Sequence, residues 1–489
     1  MAEQTPLIPV LRNSIKSGLI SSSAIAENEY PKDAVLESLN FHFDTIGQMT
    51  LRKGLTQLGN TLSGNILGLY NFRDSGSGTN NRMIAVNGTT TYYLAGSTWT
   101  SKRTGLTSGS KARFSTFLDV VFMVNGSDAT ATWDGNTANN FITTNNALNA
   151  PIGKFIENYR SRMWIAGNST YPDRLYYSSL PSAVATPEIS WDTNVSTGQW
   201  IDISPSDGEN ITGLHRTKGA LLVFKNNHIY RVYSILQADP DPQFNVGTYS
   251  QESIVETKNG VYFHHPTGFY RYDGGVSEIS RPIIDFVKGI TLSNYSSVTG
   301  YLEDDGDHIC WAVGDVTVDD IVYTNTVLRY TISTQVWTHY SYPTQFLVSS
   351  TYNDGSNLFI LTGDTSGKIY KTNYGSDDSG TDLFYSIIHN FDDIDGSSST
   401  FKTINKMAII HKRMIGGNIN YLTPDSNSIQ FTKKIGQILN EDVGFNGLVA
   451  QGKKFKFRIS GVAKSEPIIY EGYEILEGST QLVAFRNQN

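Results

Sequence analysis

The chain has 489 residues, of which 39% are hydrophobic, 12% aromatic and only 17% charged, with a net charge of −8 and one cysteine. That apolar share supports a packed core and excludes a disordered chain. The acidic balance argues against a protein built to grip phosphates, and Cys310 alone makes neither a disulfide framework nor a cysteine zinc site.

The missing charge is replaced by turn-forming Ser, Thr, Asn and Gly, while 27 Tyr and 23 Phe favour half-buried pleated surfaces. Composition therefore predicts an all-β protein. No run approaches the ~18 apolar residues of a bilayer span. Residues 1–31 lack a basic start followed by an apolar block, so a soluble chain made in a reducing cytoplasm is expected.

Residues 1–60 are irregular and read as an arm or clasp laid over the main body. Within them Asp33–Leu39 begins with a capping residue and predicts two helical turns, Asn40–Asp44 alternates, and Met49–Lys53 predicts a strand between Gly47 and Gly54.

Residues 61–375 then repeat one unit: an apolar run, a Gly/Asn/Asp turn, and a second aromatic-rich run. Met83–Gly88 leads to Tyr92–Leu94, Val121–Gly126 to Ala131–Gly135, and Arg162–Asn168 to Arg174–Ser178. Leu221–Asn227 leads to His228–Val232, and Val261–Phe263 to Phe269–Gly274. His308–Val313 is followed by Val327–Tyr330 and Val336–Tyr340, and Asn357–Gly363 by Gly367–Lys371. Each unit is a hairpin that cannot bury its apolar face alone. A recurrence of roughly 40–50 residues is the spacing of propeller blades. Six or seven units predict a β-propeller-like body, with a β-sandwich as the competing reading.

Residues 376–489, which open on the linker-like Gly375–Asp382, are read as a separate small C-terminal β domain. There Lys454, Lys456 and Arg458 alternate with Phe455, Phe457 and Ile459, an amphipathic strand whose basic side is expected to face solvent at a sheet edge or an acidic partner.

Few residues offer chemistry. His264-His265 is read as an exposed turn, since neighbours on a strand point apart and share a metal poorly. Glu303–Asp307 and Asp392–Gly396 resemble fragments of calcium loops without the alternating ligands and final Glu, and read as solvated turns. Cys310 beside Trp311 reads as a buried inert thiol. No nucleophile elbow, zinc-protease, P-loop or dinucleotide motif appears, and the scattered carboxylates pick out no glycosidase pair. No catalytic, cofactor or metal residues are assigned, and the chain reads as a non-enzyme.

The order Glu27–Tyr30, Leu39–Asp44, Gly47 and Leu51–Gly54 resembles the opening of tailed-phage tail proteins. The likeness continues through Ser161–Asn168, Pro172–Leu180, Trp191-Asp192, Ile201–Gly208, Ile211–Leu214, Gly219–Lys225, Gly260–Phe263 and Tyr270–Gly274. As a series, over roughly residues 20–285, it resembles the tail hub or nozzle proteins of short-tailed phages, the packaged-DNA stabilisation group. The C-terminal third has no such match.

The resemblance implies a structural virion protein, made in the host bacterial cytoplasm and incorporated into the tail. It implies a propeller subunit forming a homo-hexameric ring below portal and adaptor. Such a ring extends the DNA channel, helps retain the packaged genome before DNA ejection, and docks fibres, spikes or a needle. An acidic, Ser/Thr/Asn-rich wall lets DNA slide without sequence-specific binding. Two other classes stay open: a receptor-binding or tail-spike component, and a propeller-type glycan-cleaving enzyme with carboxylates around a central pocket.

Overall fold

The computed structural model describes residues 5–482 apart from short internal stretches, the longest of them 183–188, 423–428 and 435–442. The body is all-β. Successive antiparallel meanders each place their first strand innermost, and these inner strands touch in sequence around a closed circle.

Blade one is Ile66–Phe72, Arg82–Asn87, Thr90–Ala95 and Thr98–Arg103. Blade two is Arg113–Phe117, Val120–Val124 and Ala131–Trp133, with Ile142 bridging to Thr132 as its outer edge. Blades three and four run over Phe155–Tyr159 to Trp200–Asp202 and Ile211–Arg216 to Gln237–Pro240. Blade five, Val255–Thr257 to Val276–Glu278, is entered through the turn Gln251–Ser253. Blade six is Thr299–Leu302, His308–Val318, Ile321–Thr331 and Val336–Ser341.

Blade seven takes Phe346–Asn353, Leu358–Asp364 and Ile369–Thr372 from this end of the body and its outer strand, Leu55–Gln57, from the other. That exchange staples the wheel shut: opening it means stripping a strand from blade seven. The result is a seven-bladed propeller. Second strands lie between two blades and are buried on both faces, as in Val120–Val124 and Leu221–Lys225. They read as continuous apolar runs for that reason.

The two ends of the chain build one further module. Its first sheet orders Val443–Gly452, Thr400–Lys412, Ile469–Leu482, Met49–Leu51 and Phe41–His42, with Thr5–Pro6 and Val10–Arg12 added on Ile469–Leu482. Its second sheet continues blade six outward: Val336–Ser341 meets Val35–Leu39, then Leu383–His389, Lys456–Ala463, Asn418–Leu422 and Ile429–Lys434. Ile15, Phe41, Met49 and Leu51 from the N-terminal segment share a core with Tyr385, Ile409, Phe457 and Tyr470. The arm is therefore a structural part of the C-terminal β domain as well as a clasp on the wheel.

Two local expectations are corrected. Residues 33–39 form the strand Val35–Leu39 instead of helical turns, because edges on both sides pair with it and its buried pattern fits a sheet. The basic face of Lys456 and Arg458 is neither solvated nor at an edge. Its strand lies between two others, Lys456 is buried, and Arg458 donates to the buried Glu37 carboxylate at 3.0 Å. Phe455, Phe457 and Ile459 enter the core as expected.

Candidate functional site

Where the inner strands converge they enclose an axial cavity of about 240 Å³, lined by Tyr70, Arg113, Phe114, Glu157, Gln251 and Glu252 among others. Glycine lets the strands close this far: a Cβ on Gly68 would stand 2.8 Å from the Ala112 carbonyl oxygen. The cavity is smaller than the ~300–1,000 Å³ of most ligand pockets. At ~30 Å³ per water it holds a small cluster of solvent, not a nucleic acid strand.

Glu252 is largely withdrawn from solvent, which alone would raise its pKa. Instead Arg113 at 2.8 Å and Lys111 at 3.3 Å hold it down to about 2. Both its oxygens are occupied, the second also by the Ser250 hydroxyl. Glu157 moves the other way. Burial pushes its pKa up, against the Asn158 backbone N–H and the charges of His215 and Arg216. Among the lining residues there is thus one carboxyl suited to holding a proton, and no second carboxylate free to act as nucleophile or base. A glycosidase needs both.

A second polar cluster joins blade six to the arm. Arg329 is 2% exposed and donates Nη2 to Glu303 at 3.0 Å and to Asp44 at 2.9 Å. Asp44 also faces Nε2 of His42 and of His308, each at 3.3 Å. Burial would raise the Asp44 pKa, but His42, Arg329 and His308 hold it low. Donor atoms of Glu303, Asp305 and His308 lie within 4.8 Å of one another, a spacing open to a cation. However, both Glu303 oxygens are already used, one by Arg329 and one by the Cys310 thiol at 3.5 Å. A guanidinium already supplies the positive charge, so the cluster fits an ion-pair joint better than a metal centre. Glu303 is accordingly buried, not part of a solvated turn. Burial and the Glu303 carboxylate push the Cys310 pKa well up, an unreactive thiol as expected.

His264 and His265 also need correction: both lie on the strand Gly260–His265 and are buried. The turn takes only Pro266 and Thr267. His264 packs on Phe269 and Tyr295, and His265 shares a hydrogen bond with the Thr267 hydroxyl. Of Asp392–Gly396, Asp392 is buried and takes two bonds from Arg12, at 2.7 and 3.0 Å, and one from Tyr473. Asp393, Asp395 and Gly396 lie outside the described residues.

Sequence reading missed the joints that fasten the wheel. Arg52, 2% exposed, donates to Asp378 at 2.8 and 2.6 Å, to Asn40 Oδ1 at 2.9 Å and to the Ser341 carbonyl at 2.8 Å. Its guanidinium also lies 4.0 Å from the Tyr342 ring centroid. Lys225, fully buried, binds Asp173 at 2.9 Å, Asp207 at 2.8 Å and the Ser204 carbonyl at 3.1 Å. The available signal was a lysine closing the apolar run Leu221–Phe224, where a buried cation demands carboxylates.

No family model matches the chain, and no curated protein matches it. Among solved structures, it is similar to the extracellular domain of a two-component system from B. thetaiotaomicron, at 12% identity over 65% of this chain and 39% of that one, with a TM-score of 0.42. It is similar to YCF48 bound to D1 peptide at 12% identity, over 68% and 96% of the chains, with a TM-score of 0.40. BBS1N in complex with ARL6DN matches at 9% identity over 67% and 99%, with a TM-score of 0.42. The chain spans well under half the length of the first of these. Among the described residues no helix is long and apolar enough to cross a membrane.

Proposed function

We propose that this chain is a structural, non-enzymatic subunit of a phage tail, a hub or nozzle protein. Its copies form a ring, in all six, that continues the DNA channel below portal and adaptor and carries docking surfaces for fibres, spikes or a needle.

The observation that carries the reading is the convergence on Lys225. Asp173, Ser204, Asp207 and Lys225 come from three separate runs of the tail-hub resemblance, Pro172–Leu180, Ile201–Gly208 and Gly219–Lys225, and meet at one joint between blades three and four around the buried Lys225 ammonium. In the arm, Asn40 and Arg52 of the same resemblance meet at another. The residues that carry the likeness are thus the ones that set the architecture. The axial cavity, with its charges largely paired internally, supports a scaffold over a catalyst. Its volume also means that DNA would pass between copies, along the axis of the ring, and not through a propeller.

Cryo-EM of particles carrying this chain tests the reading. Six copies in a ring on the tail axis are expected. Three copies at the periphery would make it a spike component, and absence from the particle would remove it from the tail altogether.

A further inference from the structure

In each blade the turn from the first to the second strand leaves the same face of the wheel, because all inner strands run the same way round the axis. On blades three to seven the charges of those turns are sorted, whereas the turns of blades one and two hold Arg73 with Asp74, and Asp119. Blades three to five present Arg160, Lys218 and Lys258, with Arg216 at the end of blade four's inner strand, all exposed. None of the four makes an ion pair with a described residue; Arg216 donates to the Asn158 side chain, and Arg160 lies over its neighbour Tyr159. The nearby carboxylate, Glu256, faces His215 at 3.5 Å.

Blades six and seven present the opposite sign. Asp304, Asp305 and Asp354 are exposed and Asp307 is half-buried. Asp305 contacts His308, Asp307 bonds Ser333, and Asp354 accepts the backbone N–H groups of its own turn and feels the charge of Lys371; none of the four makes an ion pair with a described Lys or Arg. Lys53 and Lys371 lie on this side too, the latter over the Phe359 ring. Exposed Leu358 and Tyr374 flank the acidic turns and supply apolar area beside them.

The geometry points to this face pairing with the same face of a second copy about a two-fold axis, the basic turns of blades three to five lying over the acidic turns of blades six and seven. Such a face is self-complementary: every contact is made twice, so both arcs are neutralised at once. A polyanion does not do this, since the four aspartates share the face and repel it. The pairing is independent of the tail reading, because it needs only the isolated chain.

The test is sedimentation velocity of the full chain at low and high salt. A dimer is expected at low salt, with at least a tenfold weakening as salt screens the arcs. R160E/K218E/K258E should be monomeric, and so should D304K/D354K, each checked for an unchanged circular dichroism spectrum. Mixed one to one, the two variants should restore a heterodimer. A wild type that stays monomeric at low salt overturns the inference, and so does an assembly of any size that survives the triple reversal. Failure of the mixture to pair would do the same. Binding of a mixed-sequence duplex oligonucleotide that D304K/D354K tightens, with no self-pairing, would assign the basic arc to nucleic acid instead.

Discussion

Acid should unfold this protein early, through its histidines. Of nine histidines, burial lowers the pKa of His42 and His264 to about 3, and of His265, His339 and His389 to about 4. Among the described residues neither ring nitrogen of His264 or His339 finds a hydrogen-bond partner, and both rings pack on aromatic faces. These bases stay neutral when folded but accept a proton near pH 6.5 when unfolded, so stability is complete above 6.5 and falls as pH drops toward 4. At pH 5.5 each costs on the order of 1 kcal/mol, so the five together reach a sizeable share of the ~5–15 kcal/mol that holds a typical domain together.

Urea unfolding followed by hydrogen exchange between pH 5.2 and 7.5 isolates the effect, since the carboxylates titrate mainly below that window. His264, His265 and His339 sit in blades five and six, and His42 and His389 in the end-built module. The stability slope of global unfolding should therefore approach five protons, three of them from those blades and two from the module. H264F and H339F should each remove about one proton from that slope. A slope of one proton or fewer across the whole chain, or no change in either variant, would refute the reasoning.

Other joints make separate predictions. Arg52→Ala leaves Asp378 buried without its cation and should cost about 3–5 kcal/mol in urea unfolding, felt first as exchange of the Leu55–Gln57 amides; a loss under about 1 kcal/mol would count against the closure described. Glu252 acts in the same direction as the histidines but in a lower window: its contribution is present above about 4.5 and lost as pH falls toward 2, and E252Q should flatten that lower limb in acid titration. Gly367→Ala should destabilise blade seven markedly, because φ is +83° and a Cβ would stand 1.9 Å from the Leu62 carbonyl oxygen. Gly306→Ala, at φ +71° with open space around it, should cost only the roughly 1–2 kcal/mol of the left-handed backbone. Deleting residues 1–40 removes Val35–Leu39 from between two strands, so limited proteolysis should cut residues 383–482 while blades one to five persist.

Each hairpin read from the sequence proves to be the second and third strands of a blade. The second strands are buried on both faces, so Met83–Gly88 or Leu221–Phe224 announces itself as an apolar run. First strands line a polar axis and outer strands face water. Thr98–Arg103, with only Trp99 buried, carries almost no signal. The blade count emerges only when Leu55–Gln57 is seen to complete a blade whose other strands lie some 300 residues away, since no local pattern encodes a partner across the chain. The same limit hid the basic strand's purpose. Alternation placed Phe455, Phe457 and Ile459 in a core correctly, but only tertiary pairing brings Glu37 to Arg458.

The joints share a logic. Arg52 with Asp378, Arg329 with Asp44, Arg12 with Asp392 and Arg458 with Glu37 each join residues from opposite ends of the chain. A buried ion pair adds little net stability over a well-packed apolar contact, but half of one is severely penalised. Placed at a seam, it makes partial opening costly while leaving complete separation no harder than apolar packing would. One such pair, Arg52 with Asp378, and three that are buried on one side only therefore favour a body that is either fully closed or fully unfolded. An enzyme that works by loop movement gains nothing from that, whereas a wall segment that must keep its shape under load gains a great deal. Charge-neutral replacements such as R52M/D378L should preserve stability while letting the two ends open independently.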